Sequence, residues 1–322
     1  MLNSEADVNG WFVECYEDEP DRGYGANVGK VFKVLRATSF QNPFLPAREQ
    51  FAGGGSYGNG AAMRVSPVGL FYSRDSEESE AIKVAKMQSL VTHAHPLGYF
   101  GAILMCLAIR EALKVPSDTP VNPDEFLDAL QLKLNALPFV SENDGDVVEV
   151  EAELKKMKIT MMGVKMQAGI EVDQGGKKLL IPGESREEGA AAEYREKLLA
   201  CRKLLKKDFD KDEIVNQLGN SVSAVDSVIT AFYCFLACYN YNQAHEFMVE
   251  ASGNEEGMEK SLRLACMLGG DTDTIANMAC ALVGAHVGLN SRICFLLDSC
   301  EEGNEPLDLG RHIYDLVYPS AS

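Results

Sequence analysis

Gly98–Lys114 reads GYFGAILMCLAIREALK, and from Gly98 to Ile109 every position is apolar or small. A segment of this length with apolar residues nearly all round is a helix with no water-facing side, so it belongs in the middle of a core. The longest apolar stretches, such as Tyr99–Ile109, fall short of the about 20 helical residues that cross a bilayer, and we read this one as the central helix of an all-α protein.

Working outward, Glu77–Leu90 precedes it as a helix joined through Val91–Pro96. Pro120–Leu137 follows, opened by Asn122-Pro123-Asp124, a helix-start signal. Toward the N-terminus, Trp11–Tyr16 reads as the end of a helix and Glu17–Asn27 as a loop. Val28, Val31, Phe32 and Leu35 then have helical spacing. Phe51–Gly60 holds five glycines in ten residues and is expected to be a structured loop, with a helix beginning at Ala61. Toward the C-terminus, helices are predicted over Glu188–Leu205, Lys211–Leu218 with Gly219 as the stop, Val222–Tyr239, Met258–Leu268, and from Asp271 to about Val287. Strand signals are few. Ser141–Ser185 breaks the pattern with acidic residues, a Met-rich piece and Gly175-Gly176, and reads as an insertion. The expected organisation is a single domain over 1–322 with an insertion over 141–189.

With 322 residues, 46% apolar and 24% charged, the composition is that of a folded globule. A formal charge of −18 argues against a duplex nucleic-acid surface, because phosphate contacts need Lys and Arg. Any phosphate has to be held locally by a metal ion, backbone N–H groups or a helix N-terminus. Nine cysteines stand singly without a C-x-x-C pair, a pattern of small buried hydrophobes in a reducing compartment. Met1–Gly10 is polar and acidic, unlike a signal or transit peptide. We therefore expect an intracellular protein of cytoplasm, nucleus or mitochondrial matrix, without a membrane partner.

Gly269-Gly270-Asp271-Thr272-Asp273-Thr274 sits between two apolar helical runs. The glycines permit a tight turn, and Asp271, Asp273 and Thr274 fall within one turn at a helix start. Two carboxylates and a hydroxyl are hard oxygen ligands suited to Mg²⁺ or Mn²⁺. The competing reading is an ordinary helix cap. The glycine-rich run from Phe51 through Gly55, Ser56, Tyr57, Gly58 and Asn59 offers N–H groups to a phosphate and aromatic faces to a base or ribose, yet it matches neither the dinucleotide fingerprint nor the P-loop. His93 and His95 in Thr92-His93-Ala94-His95-Pro96 read as a polar helix junction, with zinc ligation as the alternative. His245, His286 and His312 read as structural or surface residues. Neither G-x-S-x-G nor H-E-x-x-H occurs.

Asp21-Arg22-Gly23-Tyr24-Gly25, Gly55-Ser56-Tyr57-Gly58-Asn59-Gly60-Ala61-Ala62-Met63-Arg64, Thr92-His93-Ala94 with Leu97-Gly98-Tyr99, and Gly269–Thr274 together resemble the ADP-ribosylglycohydrolase family, in order and in spacing. Within it the likeness is to the ADP-ribosylhydrolase 3 branch, which acts on serine-ADP-ribose, poly(ADP-ribose) and O-acetyl-ADP-ribose. The resemblance implies a monomeric, orthogonal helical bundle around two Mg²⁺ ions, with Asp271, Asp273 and Thr274 as metal ligands. It also implies that Gly55, Ser56, Tyr57, Gly58 and Asn59 hold the ADP-ribose phosphates, that Phe51 and Tyr57 contact the adenosine, and that His93, Gly23 and Gly25 line the ligand. The family's next glycine is Asn27 here. The family's Gly-Asp segment with a catalytic Glu and its Thr-Asp-Asp-Thr run are not found in these 322 residues, so no catalytic residue is nominated, and Asp146 is no replacement. The expectation is a chain lacking its N-terminal metal-ligand segment, with collapsed turnover and weakened Mg²⁺ binding. The alternative is a non-catalytic ADP-ribose-binding or structural, crystallin-like descendant.

Overall fold

The computed structural model describes residues 8–137, 184–239, 257–289, 294 and 305–318. The proposed insertion lies almost wholly outside the described residues, as do Asp146 and His245. Among the described residues the regular structure is helical and no strand forms, the only β-type pairing being an isolated bridge between Gly58 and Ser223.

The helices in chain order are α1 (Val8–Asp18), α2 (Ala26–Ala37), α3 (Leu45–Gly53), α4 (Gly60–Met63), α5 (Ser66–Phe71), α6 (Glu78–Leu90), α7 (Pro96–Lys114) and α8 (Pro123–Ala136). They continue as α9 (Glu184–Leu204), α10 (Lys211–Leu218), α11 (Ala224–Ala237), α12 (Gly257–Leu268), α13 (Thr272–Val287) and α14 (Glu305–Val317). The described residues part into two compact units: the first takes Val8–Ser56, Leu90–His95 and Glu184–Gly189; the second takes Tyr57–Ser89, Pro96–Leu137 and the described residues from Ala190 onward.

The second unit is built on α7. Fifteen of its nineteen residues are buried, and α4, α5, α8, α11 and α13 all pack on it. At 19 residues α7 is long and apolar enough to cross a membrane by length and composition, which corrects the expectation that no apolar stretch reaches that length. Its window is 83% buried within the protein, the burial of a core helix. Truncating Leu104 or Leu107, both fully buried, to alanine is expected to cost about 2–5 kcal/mol. Helix α11 is equally interior, buried from Val225 to Ala237 except Asp226. Its Phe232 and Phe235 pack on Phe126 of α8 with ring centroids 6.4 and 5.4 Å apart.

Local signals act as physical chemistry requires. Asn122 accepts N–H bonds from Asp124 and Glu125 at 3.0 and 3.4 Å and caps α8. Gly219 ends α10 with φ 83°, a left-handed terminus. Trp11–Tyr16 lies in the last turns of α1, which ends at Asp18. The helix after the glycine-rich loop starts at Gly60, one residue before the expected Ala61, and is a single turn, Gly60–Met63, because Pro67 opens a separate α5. One expectation is corrected. Cys106, Cys201 and Cys234 are buried as expected, but Cys266 and Cys294 are exposed. His286 is structural: its Nδ1 meets Tyr239 Oη at 2.7 Å, and its Nε2 faces the carbonyls of Pro116 and Thr119 at 3.1 and 3.0 Å, so Nε2 carries the proton. His312 is exposed.

In the first unit, α1 packs on α2 and α2 on α3. Tyr16, Tyr24 and Phe32 form an aromatic cluster with centroids 5.0 to 6.3 Å apart.

Candidate active site

The acidic turn is shaped by its glycines. Gly269 and Gly270 have φ 76° and 74°, and a Cβ on Gly270 would lie 2.0 Å from Asn220 O. Only glycine fits there. That close approach lets Asn220 O accept the Asp271 N–H at 2.8 Å, while Asn220 Nδ2 donates to Leu268 O at 3.1 Å. Asp271 occupies the N-cap position of α13, but its side chain makes no capping hydrogen bond. Its Oδ2 instead accepts from Asn59 Nδ2 at 2.5 Å. The ordinary-cap reading of Asp271 therefore fails on geometry. Asp273 lies in the first turn of α13 and is exposed, and Thr274 is 7% exposed.

The donor set fits a hard cation: the Asp271 carboxylate is released from capping, Asp273 is open to solvent, and a threonine hydroxyl stands one residue on. Among the described residues no three His, Cys, Asp or Glu side chains gather, so any ion here draws on the hydroxyl, water or ligand oxygens as well.

The glycine-rich loop straddles the two units, with Ser56 ending the first and Tyr57 beginning the second. Within the second unit, Tyr57–Asn59 runs against 222–224: Asn59 N–H donates to Val222 O and Ala224 N–H to Tyr57 O, both at 3.0 Å. Asn59 is 7% exposed and spends its second amide hydrogen on Ser227 Oγ at 3.0 Å. Arg64, at the end of the same motif, donates from Nε to Gln88 Oε1 at 2.8 Å and from Nη2 to Gln88 O at 2.7 Å. Desolvation lowers its guanidinium to about 10, still charged at neutral pH.

Within the first unit, α3 breaks at Gln50, and Phe51 and Ala52 take left-handed φ of 52° and 58°. Two consecutive non-glycine residues there are strained, a feature that clusters at functional sites. The break turns the chain so that Gly55, φ 71°, packs on the backbone of Ala94 and His95, where a Cβ would meet His95 N at 2.6 Å. His95 N–H donates to Ser56 O at 3.3 Å and Gln50 Nε2 to Thr92 O at 2.7 Å. Two segments singled out in the sequence, the glycine-rich loop and Thr92–His95, are thus one local structure. His93 is 5% exposed with Nδ1 2.7 Å from Thr92 Oγ1. Burial and the nearby Arg186 lower the His95 imidazole below its ordinary value. Gly23 and Gly25 stand at the foot of α2, with Gly25 as its N-cap residue.

Phe51 and Tyr57 are 56% and 47% exposed, which leaves ring surface suited to stacking. The amides of Gly54, Gly55 and Asn59 donate to Phe51 O, Gln50 O and Val222 O. A phosphate on this loop therefore meets donors other than these three. Sequence reasoning missed Asn220 and Ser227, the partners that set Asp271 and Asn59; the one nearby signal was Gly219, read simply as a helix stop.

The profile of the ADP-ribosylglycohydrolase family matches residues 4–318. The ADP-ribosylhydrolase ARH3 of Mus musculus is 35% identical over 319 residues, covering 99% of this chain and 72% of its own. That of Homo sapiens is 34% identical over 305 residues, covering 95% and 70%. A solved chain of an ADP-ribosylglycohydrolase-related protein complex aligns over 98% of this chain and 83% of its own, at 15% identity and a TM-score of 0.48. Both long matches take in the acidic turn and the glycine-rich loop, and the chain belongs to the ADP-ribosylglycohydrolase family, a family of glycosidase-type hydrolases.

Proposed function

We propose that this chain binds ADP-ribosyl groups joined through O-glycosidic bonds, as in serine-ADP-ribose, poly(ADP-ribose) and O-acetyl-ADP-ribose, in a Mg²⁺-dependent hydrolase site. The observation that carries the reading is the 2.5 Å hydrogen bond from Asn59 to Asp271, which joins the nucleotide loop to the acidic turn across 212 residues of sequence.

In this reading Asp271, Asp273 and Thr274 hold Mg²⁺. The ion supplies Lewis-acid polarisation of the ribose oxygens when bound. Gly55, Ser56, Tyr57, Gly58 and Asn59 form the loop that seats the diphosphate, Gly55 and Asn59 by shaping it, since their N–H groups are spent on protein acceptors. Phe51 and Tyr57 cover the adenosine with their exposed faces, and His93, Gly23 and Gly25 complete the contacts to ADP-ribose. Asn59 fixes the orientation of the Asp271 carboxylate by taking one of its oxygens, and the other would be left to serve the cation. No residue of this chain is assigned the proton transfers of glycoside cleavage.

The test has two arms. In calorimetry with MgCl₂ the chain is expected to bind ADP-ribose, and Asp271→Asn is expected to weaken that binding at least tenfold, about 1.4 kcal/mol. With serine-ADP-ribosylated peptide and Mg²⁺, the 322-residue chain alone is expected to release ADP-ribose no faster than a protein-free control. Absence of ADP-ribose binding overturns the binding reading, and release above the control overturns the assignment of no proton-transfer residue.

A further inference from the structure

The segment between α10 and α11 touches both halves of the proposed site in the second unit. Asn220 O accepts the Asp271 N–H at 2.8 Å, Val222 O accepts the Asn59 N–H at 3.0 Å, and Ala224 N–H donates to Tyr57 O at 3.0 Å. Behind these contacts stands an ion pair that neither the motifs nor the proposed ligand set includes. Lys197 Nζ, from α9, donates to Asp226 Oδ1 at 2.8 Å and to Leu218 O at 2.6 Å. The other carboxylate oxygen of Asp226 accepts from Ser221 Oγ at 2.8 Å, and Ser221 Oγ accepts from Ser223 N–H at 3.1 Å. Thr230 Oγ1 closes the far side by donating to Gly219 O at 2.6 Å.

We propose that Lys197 and Asp226 are positioning residues: through Ser221 they brace segment 219–223, which holds the nucleotide loop at Tyr57–Asn59 and the metal-ligand turn at Asp271 in register with each other. The pair is mostly shielded, with side chains 19% and 25% exposed. Every acceptor it serves belongs to the segment or to its flanking helix ends. A charge-assisted hydrogen bond in such surroundings is worth more than an open surface pair. Among the described residues the segment's β-type pairing is the Gly58–Ser223 bridge alone, and this network supports it alongside the Asn220–Leu268 and Ser227–Ser223 hydrogen bonds. The consequence for ligands rests on the functional reading above, whereas the consequence for the backbone does not.

Amide hydrogen exchange on the ligand-free chain tests the brace directly. Asp226→Asn removes the ion pair while keeping shape and an acceptor, and Ser221→Ala removes the link from Asp226 to the segment together with the acceptor of the Ser223 N–H. Both are expected to speed exchange at Asn59, Ala224 and Asp271 together by about tenfold or more, with α7 unchanged. Lys197→Arg, which retains the charge, is expected to restore most of the protection lost in Lys197→Ala. ADP-ribose affinity in MgCl₂ is expected to fall by a similar factor in Asp226→Asn and Ser221→Ala. Unchanged exchange at the three amides, or exchange that rises equally throughout the second unit, overturns the proposal. Faster exchange with unaltered ADP-ribose affinity overturns its ligand consequence. If the parent chain binds no ADP-ribose, the functional reading fails, and the exchange pattern still decides the brace.

Discussion

Alanine at Gly270, set against alanine at Gly269, separates the geometry of the acidic turn from the general cost of a left-handed residue. Both positions have φ near 75°, so either substitution costs about 1–2 kcal/mol in backbone conformation alone. At Gly269 the added methyl meets only the side-chain tips of Asn220 and Lys211, at 3.9 and 4.0 Å. At Gly270 it falls 2.0 Å from Asn220 O, a backbone atom that cannot rotate away. Moving Asn220 sacrifices its bonds to Asp271 N–H and Leu268 O, about 1 kcal/mol each. We expect Gly269→Ala to cost about 1–2 kcal/mol and Gly270→Ala about 3–4 kcal/mol. On thermal unfolding the second should melt about 4–8 °C below the first. Gly270→Ala should also lose ADP-ribose binding in MgCl₂, because Asp271 moves with Asn220. Two variants melting within about one degree of each other would refute the reasoning.

Asn59→Asp places a second carboxylate against Asp271 Oδ2. Like charges at that distance raise the pKa of one of the pair. The fold is then expected to weaken as pH rises through the carboxylate range and to be rescued by MgCl₂ more than the parent, read as the melting-temperature gain on adding the salt. Gly55→Ala drives a methyl to 2.6 Å from His95 N with φ at 71°; a loss of about 2–4 kcal/mol is expected, with faster proteolysis near Phe51. His95 has its imidazole lowered by burial and by Arg186, so the folded state favours the neutral ring. Its contribution is complete above the unfolded value of about 6.5 and is lost as pH falls from there through the lower folded value. His95→Gln should flatten that acid limb in pH-dependent unfolding.

The helical core was legible because α7 and α11 are apolar nearly all round and, at 19 and 14 residues, are too long for buried strands. Lys211–Leu218 was readable to the residue, since Asp210 caps it and Gly219 stops it. Helix α3 was hidden because its last turn unwinds at Gln50–Ala52, and the glycines after it dominate the reading. The start of α4 was legible to within one residue from the apolar run at Ala61, whereas its end at Met63 follows from the restart that Pro67 imposes. At the site, the residue types at 271, 273 and 274 showed hard-ligand chemistry, but local sequence could not separate a ligand from a cap. That Asp271 does not cap its helix comes from Asn59, 212 positions away, which takes its carboxylate, and from Asn220, whose carbonyl fixes the turn. Contacts of that range depend on how helices pack, which no local periodicity encodes.

The most direct test of the central claim, that the acidic turn grips a divalent cation beside a bound nucleotide sugar, is anomalous diffraction from crystals of the chain soaked with MnCl₂ and ADP-ribose. The account expects a manganese peak about 2–2.3 Å from carboxylate oxygens of Asp271 and Asp273, with diphosphate density on the Tyr57–Asn59 loop. Manganese elsewhere, or ADP-ribose bound away from that loop, would contradict it.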